Sequence, residues 1–216
     1  MSQPAPIGTL GLRLVGSWRR FDPHDPEQVR RAAMSFATSV THKRDDAPLE
    51  RARIVGQTVE LMQRARSAHA QAVFVCEEIE PGVSFPAMVT VMRLEPLGEH
   101  DRPWPVGSGN SAFAVLKAML ASRPEYADAE FDGASVAGSV GVRVSCTRLT
   151  SVSASDVGAE GEDAEVRVLV IDYWSLVEGR AEAWCVACVT PLVDAPLLVT
   201  SLFDAMVVDA RLSIDT

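Results

Sequence analysis

Lysine is almost absent from this chain. Of its 20 basic residues only Lys43 and Lys117 are lysine; the others are arginine, and with abundant Ala and Val this is the composition of a GC-rich genome. No uninterrupted apolar run reaches about 18 residues, so a membrane-spanning helix is not expected. Met1 to Pro6 is short and polar, with no basic flank leading into an apolar core, which argues against a secretory signal and for a cytoplasmic protein. There is no Gly-X-Ser-X-Gly elbow, no His-Glu-X-X-His pair and no Walker arrangement of lysine and serine. The local signatures of serine hydrolases, zinc proteases and P-loop enzymes are therefore missing. His24, His42, His69 and His100 fall in turns, loops or helix ends and form no spaced pair.

Cysteine is sparse too, with four in 216 residues. Cys76, Cys146, Cys185 and Cys188 lack the paired knuckles of a structural zinc site, so no metal and no cofactor is expected. Trp184-Cys185-Val186-Ala187-Cys188 has the outline of a thioredoxin-type active site. A redox pair, however, belongs at a helix N-terminus, where the first thiol is exposed and its thiolate stabilised. Here the motif sits in a strand-like stretch stopped by Pro191. Residues three apart in a strand point to opposite faces, so Cys185 and Cys188 are expected to be buried thiols rather than a redox pair.

What is present is a globular composition. Nearly half the residues are apolar, 23% are charged, and the length suits one large domain. Net charge is −9, with residues 1–70 at +4 and residues 71–216 at −13. An acidic body disfavours nucleic acid as a partner. The paired acids Glu77, Glu78 and Glu80, and Glu160, Glu162 and Asp163, lack a partner constellation for catalysis and read as solvated turns.

The apolar periodicity predicts a short strand over 10–15, a helix from Pro26 to Val40 capped by Asp25, and a second helix from Pro48 to about His69. From Gln71 the period becomes 2, giving strands over 72–79 and 84–94 around a turn at Glu80-Pro81-Gly82. A helix from Ala112 to about Ser122 follows a Pro- and Gly-rich loop. Strands over 131–136 and 139–149 come next, then an acidic loop. Strands over 166–174 and 181–190 flank a turn at 178–180, and a last helix is read over 192–212. The fold class expected is α+β: a single domain, 1–216, with a largely antiparallel sheet of about six to seven strands flanked by helices. Whether the 26–69 helical hairpin belongs to the core or is a separate docking element is open at this level.

Asp172-Tyr173-Trp174, then Val177 with Gly179-Arg180, a strand ending Val189-Thr190-Pro191-Leu192, and Leu202-Phe203-Asp204-Ala205-Met206 form a recognisable string. Over about 45 residues it resembles the end of actinobacterial proteins with the Mog1/PsbP-like fold. The resemblance implies an antiparallel sheet flanked by helices, in a group whose members act by binding other proteins rather than by catalysis. It transfers no specific functional residue.

The expected function is thus a non-enzymatic adaptor, chaperone or assembly factor whose partner is another protein. Partner-binding candidates are the aromatics near polar turns, Trp18, Trp104, Tyr173 and Trp174. In Tyr173-Trp174 strand alternation predicts that one ring faces out. The alternative is a site for a small anionic ligand, or an enzyme, built on the loop Gly107, Gly109, Asn110 and Ser111 at a helix start, with Arg102 and Arg93 nearby. Thiol redox at Cys185 and Cys188 is the remaining alternative. Oligomeric state is not legible.

Overall fold

Helix α1, Pro26–Thr41, starts where local chemistry demands it. Asp25 Oδ1 accepts the Gln28 N–H at 2.9 Å, and Pro26 fills the first helical position, where no N–H is needed. The Gln28 side chain reaches back to the Asp22 N–H at 3.0 Å and to the Arg20 carbonyl at 3.0 Å. These bonds tie the helix to the preceding strand, β2, Ser17–Phe21. The computed structural model describes residues 8–41, 47–94, 109–137, 139–152, 164–176 and 183–214.

The remaining elements, in chain order, are β1 (Gly8–Gly11) before β2, then α2 (Ala47–Ser67), β3 (Ala70–Glu78), β4 (Met88–Leu94) and α3 (Gly109–Ala121). After a 3-10 turn at Pro124–Tyr126 come β5 (Glu130–Val136), β6 (Ser139–Val152), β7 (Ala164–Leu176), β8 (Ala183–Thr190), α4 (Pro196–Val208) and β9 (Arg211–Ile214). Seven strands form one sheet in the order β2-β3-β4-β8-β7-β6-β5, and every pairing is antiparallel. A separate ribbon pairs β1 with β9. The α+β architecture with a large antiparallel sheet is therefore as the sequence implied.

Both faces of the sheet are covered, which decides where every strand side chain goes. Leu169, Ile171 and Tyr173 of β7, with Trp184, Val186 and Cys188 of β8, point to one face. There they pack under Val199, Phe203, Met206 and Val207 of α4. Trp174, Cys185 and Ala187 point to the other face, under Leu116 and Leu120 of α3. On that second face the α1–α2 hairpin lies beside α3, packing Val29, Ala33 and Met62 on Phe21, Ala70 and Val73. Met92 touches both clusters, so the 26–69 hairpin sits on the sheet rather than apart from it.

Polar pins fix α4 in place. Arg143 donates to Asp204 Oδ2 at 2.6 Å and to Asp132 Oδ2 at 2.7 Å, and the Tyr173 hydroxyl donates to Asp204 Oδ1 at 2.8 Å. Tyr173 sits in the apolar layer between sheet and helix, and burial pushes its phenol well above the ordinary range.

Three elements depart from the sequence expectation at their boundaries. The last helix ends at Val208 rather than Leu212, and 211–214 turns into a strand on β1. Its start is delayed to Pro196 because Thr190 Oγ1 accepts the Leu192 N–H at 3.2 Å and a turn intervenes. The strand read over 10–15 is split: β1 ends at Gly11, and the chain bends at Gly16, whose φ of +92° suits glycine, before β2 begins. The strand read from Ser84 begins at Met88, since Thr190 Oγ1 donates to the Pro86 carbonyl at 2.8 Å and takes it out of the ladder. The turn expected at 178–180 and the acidic loop after 152 fall at least partly outside the described residues.

Candidate functional site

The covered sheet leaves few described places where a partner can enter. One is an open groove of about 760 Å³ at the end of the sheet, under the C-terminal half of α1. Its wall is Phe36, Ser39 and Val40 of α1, and its floor includes Val75 of β3, Met88 of β4 and Val189 of β8. Phe36 and Val40 belong to the apolar stripe that defines α1, yet they look into this groove rather than into the core; Val40 is 47% exposed. Pro86 and Pro191 shape the end of the floor, where Thr190 bonds the 84–87 segment to β8.

The rim is polar and acidic. Glu77 pairs with Arg19, whose Nε donates to Oε1 at 2.7 Å and whose Nη1 donates to Ser35 at 3.0 Å. Glu78 is exposed and accepts the Gly82 N–H at 3.3 Å through one carboxylate oxygen. Cys76 also borders the groove, but burial, reinforced by Glu77, pushes its thiol up to about 11, so it carries no thiolate at neutral pH. Among the described residues no histidine or lysine lines the groove. Of its hydroxyls, Ser17 donates to Glu77 Oε2 at 3.5 Å, Ser39 to the Phe36 carbonyl at 2.8 Å and Thr190 to the Pro86 carbonyl at 2.8 Å. The surface has room for an apolar side chain flanked by a cation.

A second polar cluster lies under α3. The Tyr126 hydroxyl donates to Asp172 Oδ2 at 2.7 Å and accepts from Trp174 Nε1 at 3.2 Å. Asp172 is 6% exposed and its Oδ1 has no partner among the described residues. Burial raises its pKa, against the Tyr126 bond and the field of Arg148. Arg148 stacks on the Tyr126 ring at 5.7 Å and Arg123 on Trp174 at 5.4 Å. Raised carboxyls do occur in active sites. This one is enclosed by aromatic rings and is not among the residues lining the groove.

The residues singled out from sequence do not converge. Tyr173 and Trp174 are 1% and 3% exposed. The expectation that one ring faces out is corrected: alternation does send them to opposite faces, but helices cover both. Trp18 is half-buried at the edge of the sheet, its indole donating to the Val15 carbonyl at 2.7 Å. Trp104, Arg102 and Gly107 lie outside the described residues. Gly109, Asn110 and Ser111 form the first turn of α3, and Arg93 lies in β4. Cys185 and Cys188 are fully buried on opposite faces, and burial first of all holds both thiols well above their ordinary value. They face away from each other, which removes the geometric basis of the redox alternative. Among the described residues no group of three or more His, Cys, Asp or Glu is placed to hold a metal ion.

No protein-family model, no curated protein and no solved structure matches this chain.

Proposed function

We propose that this chain is a protein-binding module, an adaptor, chaperone or assembly factor in the cytoplasm, and that the groove between α1 and the sheet end is its partner site. The observation that carries the reading is the groove's chemistry: an apolar floor under an acidic and hydroxyl rim. The occupant that fits is a polypeptide segment presenting an apolar side chain next to an arginine or lysine. The apolar side chain would rest on Val75, Met88 and Val189, and the cation would meet Glu78. Strong net acidity in residues 71–216 favours the same kind of partner through long-range attraction. The resemblance to Mog1/PsbP-like proteins points to the same class by analogy of fold.

The test uses a photoreactive residue in place of Val40, on the tagged chain in its own cells. One protein cross-linked in stoichiometric yield, and lost with Glu78→Arg, supports the reading. A probe at 40 that captures nothing removes the groove as the partner site. A thermal shift with phosphate or small carboxylates, unaffected by Glu78→Arg, would instead favour the anionic-ligand alternative.

A further inference from the structure

The outward side of α4 is the most apolar exposed surface on a described helix. Leu197 is 84% exposed, Leu198 74% and Val208 52%. Ser201 and Ala205 between them are also exposed, and the spacing puts all five on one side of the helix. The only charged residue of α4 is Asp204, and its carboxylate is turned away to Arg143 and Tyr173. Singly exposed leucines are ordinary on a surface; a contiguous helical stripe without a charge is not.

We infer that this stripe is a self-association surface, on which a second copy of the chain packs α4 against α4, antiparallel across a two-fold axis. The stripe is complementary to itself in that arrangement. Large residues stand at its ends and small ones, Ser201 and Ala205, at its centre. Antiparallel pairing lays Leu197 and Leu198 of one copy over Val208 of the other, and lets the helices approach closely at the middle. Charge agrees. Asp194 stands exposed before the helix and Arg211 exposed after it, and neither has an ion-pair partner among the described residues. A two-fold axis places each Asp194 opposite the other copy's Arg211, twice. A shallow groove lined by Gly11, Leu12, Arg13 and residues 208–211 also borders the C-terminal end of α4, where the other copy's Leu197 arrives.

The helix is about 20 Å long and about 10 Å wide, so its footprint is well under the roughly 800 Å² per partner of a stable dimer. The association is therefore weak and concentration-dependent. It does not rest on the groove under α1, which lies on the opposite face of the sheet.

Sedimentation velocity of the full chain from about 1 to about 500 µM is the test. The wild type moves from monomer mass toward dimer mass. Leu198→Asp, at a solvent-facing position, stays monomeric with an unchanged urea transition. Asp194→Arg weakens the dimer at least tenfold, and adding Arg211→Asp restores it. A wild type that is monomeric at every concentration overturns the inference and leaves the α4 stripe to a different protein. A dimer indifferent to Leu198→Asp, or a charge swap that fails to rescue, overturns it equally. Loss of cross-linking at residue 40 leaves it untouched, so the two proposals fail separately.

Discussion

Replacing Tyr126 by Phe removes one oxygen and keeps the ring, so its cost isolates the buried polar cluster. The ring still meets Phe131 edge-on at 6.4 Å and still lies under Arg148. What disappears is the 2.7 Å bond to Asp172, and the acceptor of the Trp174 indole with it. A hydrogen bond to a charged, buried acceptor contributes about 1.5–3 kcal/mol, and an orphaned indole N–H adds about 1 kcal/mol. The expected loss with Asp172 ionised is about 3 kcal/mol, a fall in Tm of about 6–12 °C for a chain of this length.

That loss depends on pH in a defined direction. Burial raises the folded pKa of Asp172, so its contribution is full below its unfolded value of about 3.9 and is lost as pH rises through the folded value. The Tyr126 hydroxyl lowers that folded pKa, and deleting it raises the pKa further. The Tyr126→Phe penalty must therefore grow with pH. The groups that set the field at Asp172 are Tyr126, Arg148 and Cys185, none of which changes charge between about pH 4.5 and pH 8. Urea unfolding of wild type, Tyr126→Phe, Asp172→Asn and the double variant at both ends of that range completes a double-mutant cycle. The expected coupling is at least about 1 kcal/mol at high pH and smaller at low pH. An equal penalty at both pH values, undiminished in the Asp172→Asn background, would refute the account.

Other consequences are more direct. Gly16→Ala forces a side chain onto φ +92° with its Cβ 2.3 Å from the Glu78 carbonyl oxygen, so it should cost at least about 2 kcal/mol in urea unfolding. Phe203→Ala empties the layer between α4 and the sheet beside Phe85 and should cost about 3–5 kcal/mol, read as a Tm fall of at least about 6 °C. In the native protein a thiol reagent should reach the half-buried Cys146 first, with Cys185 and Cys188 labelled only at the rate of unfolding. Val40→Asp, at a half-exposed groove position, should leave stability within about 0.5 kcal/mol while abolishing partner capture.

The parts of the fold legible from sequence are those with a strong local period. Strand alternation located the β7–β8 hairpin and predicted that Cys185 and Cys188 would part to opposite faces, as they do. The Asp25-Pro26 start located α1. The end of the chain failed for a physical reason. From Leu197 to Val208 apolar residues stand on nearly every side of the helix, so periodicity cannot say which side is buried. Leu212 continues the spacing and reads as more helix, whereas it belongs to a strand whose partner is some 200 residues away. The break at Gly16 depends on how closely the chain passes Glu78 and Ile79, a contact invisible in the local sequence.

The candidate site was illegible because it is assembled from five stretches, near 17, 36–40, 75–78, 84–88 and 189–191, with no pattern linking them. Tyr173 and Trp174 do not serve as outward anchors for a related reason. A sheet clad on both faces consumes its aromatics as core: Tyr173 and Trp174 are spent on opposite layers and hold a polar partner each, Asp204 and Tyr126. In such a fold the central strands β7 and β8 cannot present a binding face. On the proposed reading, recognition falls to the outward sides of the helices and to the open end of the sheet. At those places Val40, at the groove, and Leu197, Leu198 and Val208, on α4, stand in water.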